Sequence, residues 1–386
     1  MKIAITFGFF LPVPPVRGGA TEKIWFNLGR RLAVRGHAVT LYARTWEDWP
    51  VSNRVDGMDI RRIRGWNHRS LLWQNLSLDF RWGLRLRRLL PSDTVIIANN
   101  VFLPILLRLP PRHMPPVCVV LGRMPKGQVR WYGALDRIYA TSQAVAAQAR
   151  RENPQAAARI KVLRNCIDWP AFQNGSGYDP SAPLRIGYAG RIHPEKGLDL
   201  LVRAAVRLAR DQQLPPWEVT LIGPVRMADG GGGEPYSNSL LQLAHQQGLG
   251  ERFRLLPPAY DPADLIRFYR ELAIFCYPTR AEKGEGLSVA PIEAMAAGAV
   301  PVLSHLDCYT DLIRPGENGM LFDHRAADAD SRLAVELASL LRDADRRARL
   351  GSAARETARD FDYDAVAAEL DLDLRSLLAR TTPPSP

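Results

Sequence analysis

The chain has 386 residues, 46% hydrophobic and 24% charged, a composition that supports sizeable buried cores and excludes both a single small module and wholesale disorder. The formal net charge of +11 conceals an asymmetry. Residues 1–168 carry 27 Lys and Arg against 10 Asp and Glu, a net +17, whereas residues 169–386 carry 24 against 30, a net −6. Two domains that face different partners are implied.

No uninterrupted apolar run reaches the roughly 18 to 20 residues of a membrane-spanning helix. The opening MKIAITFGFFLPVPP lacks the clean apolar stretch and small-residue cleavage site of a signal peptide. The four cysteines, Cys118, Cys166, Cys276 and Cys308, form no C-x-x-C pair. Neither a zinc knuckle nor a disulfide framework is suggested, and a cytoplasmic protein is expected.

Along the chain, Lys2 to Thr6 reads as a buried strand, followed by a loop to Gly19. Ile24, Leu28 and Leu32 then recur at helical spacing until Gly36, and Ala38 to Tyr42 forms the next apolar run. Strand, glycine loop, helix, strand is how a parallel doubly wound sheet opens. Further strands are expected at Thr94–Ala98, Val117–Leu121, Arg137–Thr141 and Lys161–Leu163, completing a Rossmann-like domain over residues 1–168. Asn174 to Pro183 collects Gly, Ser, Asn and Pro, placing a linker over residues 169–183.

The pattern then restarts. Leu184 to Ala189 reads as a strand, Gly190 to Gly197 as a loop, and Leu198, Leu201, Val202, Ala205 and Leu208 as one helical face. Strands are expected at Glu218–Ile222, Phe253–Leu256, Ile274–Tyr277 and Val300–Leu303, so a second parallel-sheet domain covers residues 184–360. Residues 361–386 read as a helix and tail that return to the first domain. The run Gly230 to Gly233 lacks the spacing of a phosphate loop and reads as a flexible surface loop.

The most informative stretch is EGLSVAPIEAMAAG, Glu285 to Gly298, which places two carboxylates eight positions apart around a helix start. Unpaired N–H groups at such a start bind anions. A diphosphate can rest over Gly286, Leu287 and Ser288, with Glu285 and Glu293 taking hydroxyls on either side; the bland alternative is a pair of solvated acids favoured by the helix dipole. GRIHPEKG puts Gly190, Arg191, Lys196 and Gly197 in the strand-to-helix loop that opens the same domain. Loops at the carboxyl ends of parallel strands share one crevice. Arg191 and Lys196 suit a diphosphate as a planar fork and a point charge, and His193 reads as a surface residue.

These elements resemble the retaining glycosyltransferases of family 4, which have the GT-B fold: an α/β architecture of two Rossmann-like, doubly wound parallel-sheet domains facing a cleft. Glu285 to Glu293 is similar to the family's E-x7-E element and Gly190 to Gly197 to its G-R-x-x-x-x-K-G element. Gly18 and Gly19 resemble its first glycine loop, and RGHAVTLY the stretch after its first helix. Asn165 to Asp168 is similar to its N-G-V-D turn, and DLIRPGENGMLF to a later signature, with Asp311 in place of Glu.

The resemblance implies transfer of a sugar from a nucleotide diphosphate sugar, UDP- or GDP-linked, to a hydroxyl with retention of anomeric configuration. It implies that Glu293 binds the donor ribose, Glu285 the donor sugar hydroxyls, and Arg191 with Lys196 the diphosphate, which Gly18 and Gly19 approach from the other domain. The family's N-domain histidine has no counterpart in Val119 to Lys126. Arg123 or Lys126 is a substitute for it, and Asn99 and Asn100 are further candidates for acceptor hydroxyls.

No cofactor is expected, the nucleotide sugar being a substrate. The D-x-D triplets Asp328/Asp330, Asp362/Asp364 and Asp371/Asp373 read as solvated helix acids, so no metal is expected either. Residues 61–90 hold eight arginines against one acid, with Trp66, Trp73, Phe80 and Trp82 interleaved. From Arg61 to Arg88 this suits an anionic membrane surface, and seats the protein peripherally on the inner face of the membrane beside a glycan, lipid-linked, lipopolysaccharide or exopolysaccharide acceptor. No nucleic-acid module accompanies the charge, and no nucleic-acid partner is expected. A nucleotide-sugar epimerase of the same fold, a nicotinamide-dependent oxidoreductase and a non-catalytic membrane-surface protein are the other readings. The oxidoreductase lacks its glycine fingerprint.

Overall fold

A computed structural model describes residues 1–69, 71–109, 116–173 and 182–381. It divides into two units. One comprises Met1–Cys166, Lys283–Leu287 and Tyr363–Pro386, the other Ile167–Glu282 and Ser288–Asp362.

The first unit runs β1 (Lys2–Thr6), α1 (Ala20–Val34), β2 (Ala38–Arg44), β3 (Ser52–Val55), β4 (Met58–Ile63), α2 (Leu72–Leu89), β5 (Val95–Ala98), α3 (Leu103–Leu107), β6 (Val117–Leu121), β7 (Arg137–Ala140), α4 (Gln143–Glu152) and β8 (Ile160–Val162). The strands lie in the order β3-β4-β2-β1-β5-β6-β7-β8, parallel except for β3. β5 and β7 are buried along their whole length, as strands covered by helices on both faces must be. The core on one face gathers Tyr42, Trp82, Leu86, Ile96, Val117 and Ile138.

β3 and β4 were not anticipated. Arg61 is exposed and Arg62 buried, so the alternation of β4 is masked by two arginines that behave differently. The turn carried a signal nevertheless: Asp56 and Gly57 have φ of 50° and 80°, the left-handed pair that a two-residue hairpin favours.

The second unit runs β9 (Leu184–Ala189), α5 (Leu198–Leu208), β10 (Trp217–Ile222), α6 (Glu234–Gln246), β11 (Phe253–Leu256), α7 (Pro262–Arg270), β12 (Ile274–Tyr277), α8 (Val289–Ala297), β13 (Val300–Ser304), β14 (Met320–Phe322), α9 (Ala329–Arg342) and α10 (Ala344–Arg359). Its all-parallel order is β11-β10-β9-β12-β13-β14. This is the doubly wound 3-2-1-4-5-6 order, whose direction reverses between β9 and β12. The three-residue β14 was also unanticipated. Ile167 and the turn Trp169–Phe172 belong to this unit, so the chain enters it earlier than the anticipated linker ends. Residues 174–181 of that linker lie outside the described residues.

The final helix α11 (Tyr363–Thr381) packs on the first unit against α1. Asp373, buried, accepts from Arg137 at 2.8 and 3.0 Å and from Tyr139 at 2.8 Å, and pairs with Lys161. Asp371 bonds His37 at 2.8 Å, and Arg35 donates to the Asp364 carbonyl at 2.9 Å. No helix among the described residues is long and apolar enough to cross a membrane.

Candidate active site

In an open parallel sheet, ligands bind beyond the carboxyl ends of the strands where the winding reverses. In the second unit that point lies between the loop after β9 and the loop after β12. The first of these is tightly braced. Tyr188 Oη donates to the Arg191 carbonyl at 2.9 Å, the Ile192 amide to Pro224 O at 3.0 Å, and the Arg280 amide to Glu195 O at 2.8 Å. At Gly197 φ is 62°, and a Cβ there would lie 2.1 Å from the Pro278 carbonyl. Only glycine lets the two loops approach so closely.

Arg191 donates to the Gly230 carbonyl at 3.1 Å and pairs with Glu195. Burial works against ionisation of Glu195, yet Arg191, Lys196 and His193 hold its carboxyl below the usual range. The glycine run Gly230 to Gly233 is therefore not the loose loop anticipated. It packs on the Arg191 loop, with the Gly232 amide donating to Ile192 O at 2.8 Å. His193 is half-buried and caps the turn, its Nδ1 accepting from the Glu195 amide at 3.2 Å. Lys196 is buried, with Nζ 5.2 Å above the Tyr277 ring, where the ring face attracts the ammonium.

After β12 the chain leads to α8, with Ser288 at its N-cap. Pro291 lies in the first turn, where its missing N–H costs nothing. The Ser288 hydroxyl makes no capping bond. It lies 3.0 Å from Tyr309 Oη and 3.3 Å from Tyr277 Oη. Glu293, further along α8 and buried, accepts from Tyr269 Oη at 3.0 Å.

The aromatic rings form a continuous floor beneath these groups. Tyr188 stacks on Tyr277 at 5.4 Å, Tyr277 on Phe275 at 6.0 Å, and Tyr269 tilts against Phe275 at 5.8 Å. The Arg191 guanidinium bonds Gly230 O and Glu195, while the Arg191 carbonyl, Lys196, the Ser288 hydroxyl and Glu293 share one aromatic support. The sequence reading missed its four tyrosines, which look like ordinary core until their hydroxyls are placed.

Glu285, Gly286 and Leu287, expected on the second domain, fall in the segment grouped with the first unit. The Met124 amide donates to Glu285 O at 3.3 Å, and Asn165 Nδ2 bonds the Leu287 carbonyl. A Cβ at Gly286 would lie 2.6 Å from Gly122 O. The two acids of the motif are therefore divided between the units, and both are buried.

Elsewhere in the first unit, Gly18 and Gly19 lead into α1, with φ of 76° and 94°. A Cβ at Gly19 would lie 2.3 Å from Glu22 Oε2. Glu22 itself is buried, and burial, opposed by a backbone hydrogen bond, raises its pKa to about 7. Nothing in the sequence had marked it. Asn100 gives its side chain to the backbone frame, bonding Thr6 Oγ1 at 2.7 Å and Phe7 O at 2.9 Å, and Asn99 bonds Thr6 O at 3.1 Å. Both brace the end of β1, Asn100 buried and Asn99 partly exposed. Arg123 and Lys126 are exposed, and burial together with the Arg123 charge lowers the pKa of His68.

The basic segment has two faces. Trp82 is fully buried, Arg62 is buried and donates to Val13 O and Pro50 O, and Arg85 stacks on Trp66 at 4.2 Å. Leu71, Leu72, Trp73, Leu76 and Phe80 are exposed beside Arg69, Arg81 and Arg88. Acids of the D-x-D triplets are engaged by the chain itself: Asp328 by Arg332, Asp330 by Arg207, Asp362 by the Trp169 amide, and Asp364 by Arg31.

Two family models match. Glycosyltransferase family 4 matches residues 18–169, and glycosyl transferases group 1 matches residues 179–357. A D-inositol 3-phosphate glycosyltransferase of Nocardia farcinica is 30% identical over 53% of this chain and 45% of its own, so the match spans about half the length of that relative. A GDP-mannose-dependent alpha-(1-6)-phosphatidylinositol monomannoside mannosyltransferase of Mycobacterium tuberculosis is 27% identical over 92% of this chain and 94% of its own. Among solved structures, sucrose-phosphate synthase of Thermosynechococcus elongatus superposes with a TM-score of 0.78 at 18% identity, covering 98% of this chain and 100% of that one. With both units matched in chain order and the doubly wound sheets in place, the chain belongs to the family 4 glycosyltransferases and has the GT-B fold.

Proposed function

We propose that the chain moves a glycosyl group from a UDP- or GDP-sugar to an acceptor hydroxyl, with retention of configuration and without a metal. The observation that carries this reading is the grouping of the Arg191–Lys196 loop, Ser288 and Glu293 on one aromatic floor at the winding reversal of the second sheet. Arg191 and Lys196 neutralise the diphosphate, and Glu293 takes the ribose hydroxyls. Glu285 stabilises the donor sugar as charge develops. The bond from the anomeric carbon to the phosphate oxygen breaks, a bond to the acceptor oxygen forms on the same face, and the departing phosphate oxygen takes the acceptor proton.

The acceptor in this reading is anionic and lipid-linked, and docks on the first unit. The two relatives are named for phosphate-bearing inositol acceptors, and exposed Trp73, Leu76 and Phe80 on α2 are flanked by Arg81 and Arg88. Apolar side chains that enter the headgroup layer beside arginines suit the anionic inner leaflet.

Transfer from UDP- and GDP-sugars to lipid extracts, with the product's anomeric configuration read by NMR, tests the reading. Product in EDTA, absent without acceptor and lost in Glu285→Gln, is expected. Conversion of donor without acceptor would indicate the epimerase instead. Sedimentation with anionic vesicles, weakened in Arg81→Glu/Arg88→Glu, tests the docking surface; undiminished pelleting would remove it.

A further inference from the structure

The hydroxyl of Tyr269 is the group placed to orient Glu293. Tyr269 lies near the end of α7 with 1% of its surface exposed, and its ring sits between Phe172 at 6.2 Å and Phe275 at 5.8 Å. Its ring is therefore fixed by packing from two sides, and its Oη donates to Glu293 Oε2 at 3.0 Å. Glu293 projects from a different helix, α8, and a glutamate has three rotatable bonds to restrain. A donor held in a packed aromatic cluster restrains them more firmly than a mobile side chain can, which is how supporting residues preorganise a binding group.

We propose that Tyr269 is a positioning residue for nucleotide recognition: it holds the Glu293 carboxylate in the orientation that accepts the ribose hydroxyls, and so makes the site discriminate ribose from deoxyribose. The inference rests on the reading that Glu293 takes the ribose. Burial, reinforced by the facing Glu293 carboxylate, raises the phenol pKa far above its ordinary value. The proton therefore stays on Tyr269, and the direction of the bond is fixed. A site built to hydrogen-bond a hydroxyl rejects the analogue that lacks it more strongly than an apolar pocket does. That discrimination depends on where the accepting oxygen points.

The test is calorimetric titration of UDP and GDP, with their 2′-deoxy and 3′-deoxy counterparts, against the wild type, Tyr269→Phe and Glu293→Gln. The wild type is expected to bind the ribonucleotide about tenfold more tightly than at least one deoxy analogue. Tyr269→Phe, which keeps the ring and its packing, should bring that ratio to within about twofold while leaving affinity for the deoxy analogue nearly unchanged. Equal weakening of both ligands, or an unchanged ratio, would show that the hydroxyl merely satisfies a buried carboxylate, and would overturn the inference. If Tyr269→Phe does not fold, 3,5-difluorotyrosine at position 269 preserves the packing and acidifies the donor. The ratio shifts if the bond orients Glu293, and an unmoved ratio refutes that role. Should Glu293→Gln itself keep the wild-type ratio, the ribose assignment fails, whatever Tyr269 does.

Discussion

Replacing Glu22 by Gln should stabilise the first unit at and above neutral pH and leave it nearly unchanged near pH 4.5. Glu22 is 4% exposed, in the first turn of α1 beneath Gly19. A helix N-terminus favours a carboxylate, but here burial outweighs it and lifts the pKa from 4.5 to about 7. The folded state therefore holds a proton that the unfolded chain has already released. Stability from this group is full below 4.5 and falls as pH rises towards 7. At about 1.4 kcal/mol per pH unit, the loss across that window is about 3 kcal/mol. Glutamine is nearly isosteric and does not titrate, so the variant should escape the loss. Urea unfolding at pH 5, 6, 7 and 8, followed by tryptophan fluorescence, measures it, because seven of the nine tryptophans lie in the first unit. With a slope of about 2 kcal/mol per M, the midpoint of the variant should exceed the wild type's by roughly 1 to 2 M at pH 8. Parallel curves at every pH would refute the argument that burial governs this carboxyl.

Two further perturbations follow from the same geometry. Gly197→Ala puts a methyl 2.1 Å from the Pro278 carbonyl at a φ of 62°; backbone strain of about 1–2 kcal/mol and displacement of the Lys196 turn should lower UDP or GDP affinity at least tenfold by calorimetry. Asp373→Asn leaves buried Arg137 without its carboxylate, which should cost about 3–5 kcal/mol in urea unfolding of the first unit. Burial opposes ionisation of Asp373, but Lys161, Tyr139 and Arg137 hold its carboxyl below the usual range. Its contribution is therefore present above about pH 4, the ordinary aspartate value, and lost as pH falls further. The wild type should weaken below pH 4 in a way that Asp373→Asn does not.

Much of the fold was written in apolar runs bounded by turn residues. Lys2–Thr6, Val117–Leu121, Leu184–Ala189 and Ile274–Tyr277 form strands over those residues, because strands buried on both faces need no partner information to be recognised; Phe253–Leu256 does so at the sheet edge, with Arg254 and Leu256 exposed. β4 was hidden by Arg61 and Arg62, whose opposite burial composition cannot express. Arg191 and Lys196 lie in the strand-to-helix loop before α5, and Glu293 inside α8, where the sequence motifs put them. Tyr188, Tyr269, Tyr277 and Tyr309 were not legible, since the direction of a buried hydroxyl depends on which strands and helices become neighbours. The same limit applies to Asn99 and Asn100, whose polarity gave no sign that their amides brace the backbone beside them. It also explains Gly230 to Gly233, where the absence of side chains serves close packing on the Arg191 loop.

In the proposed function a diphosphate is held by Arg191 and Lys196 in the second unit. Calorimetric titration of nucleoside diphosphate against monophosphate, in the wild type and in Arg191→Met/Lys196→Met, measures it directly. The wild type should prefer the diphosphate by at least tenfold, and the double variant, still folded, should bind the two alike. A double variant that keeps the full preference for the second phosphate would contradict a diphosphate site at Arg191 and Lys196.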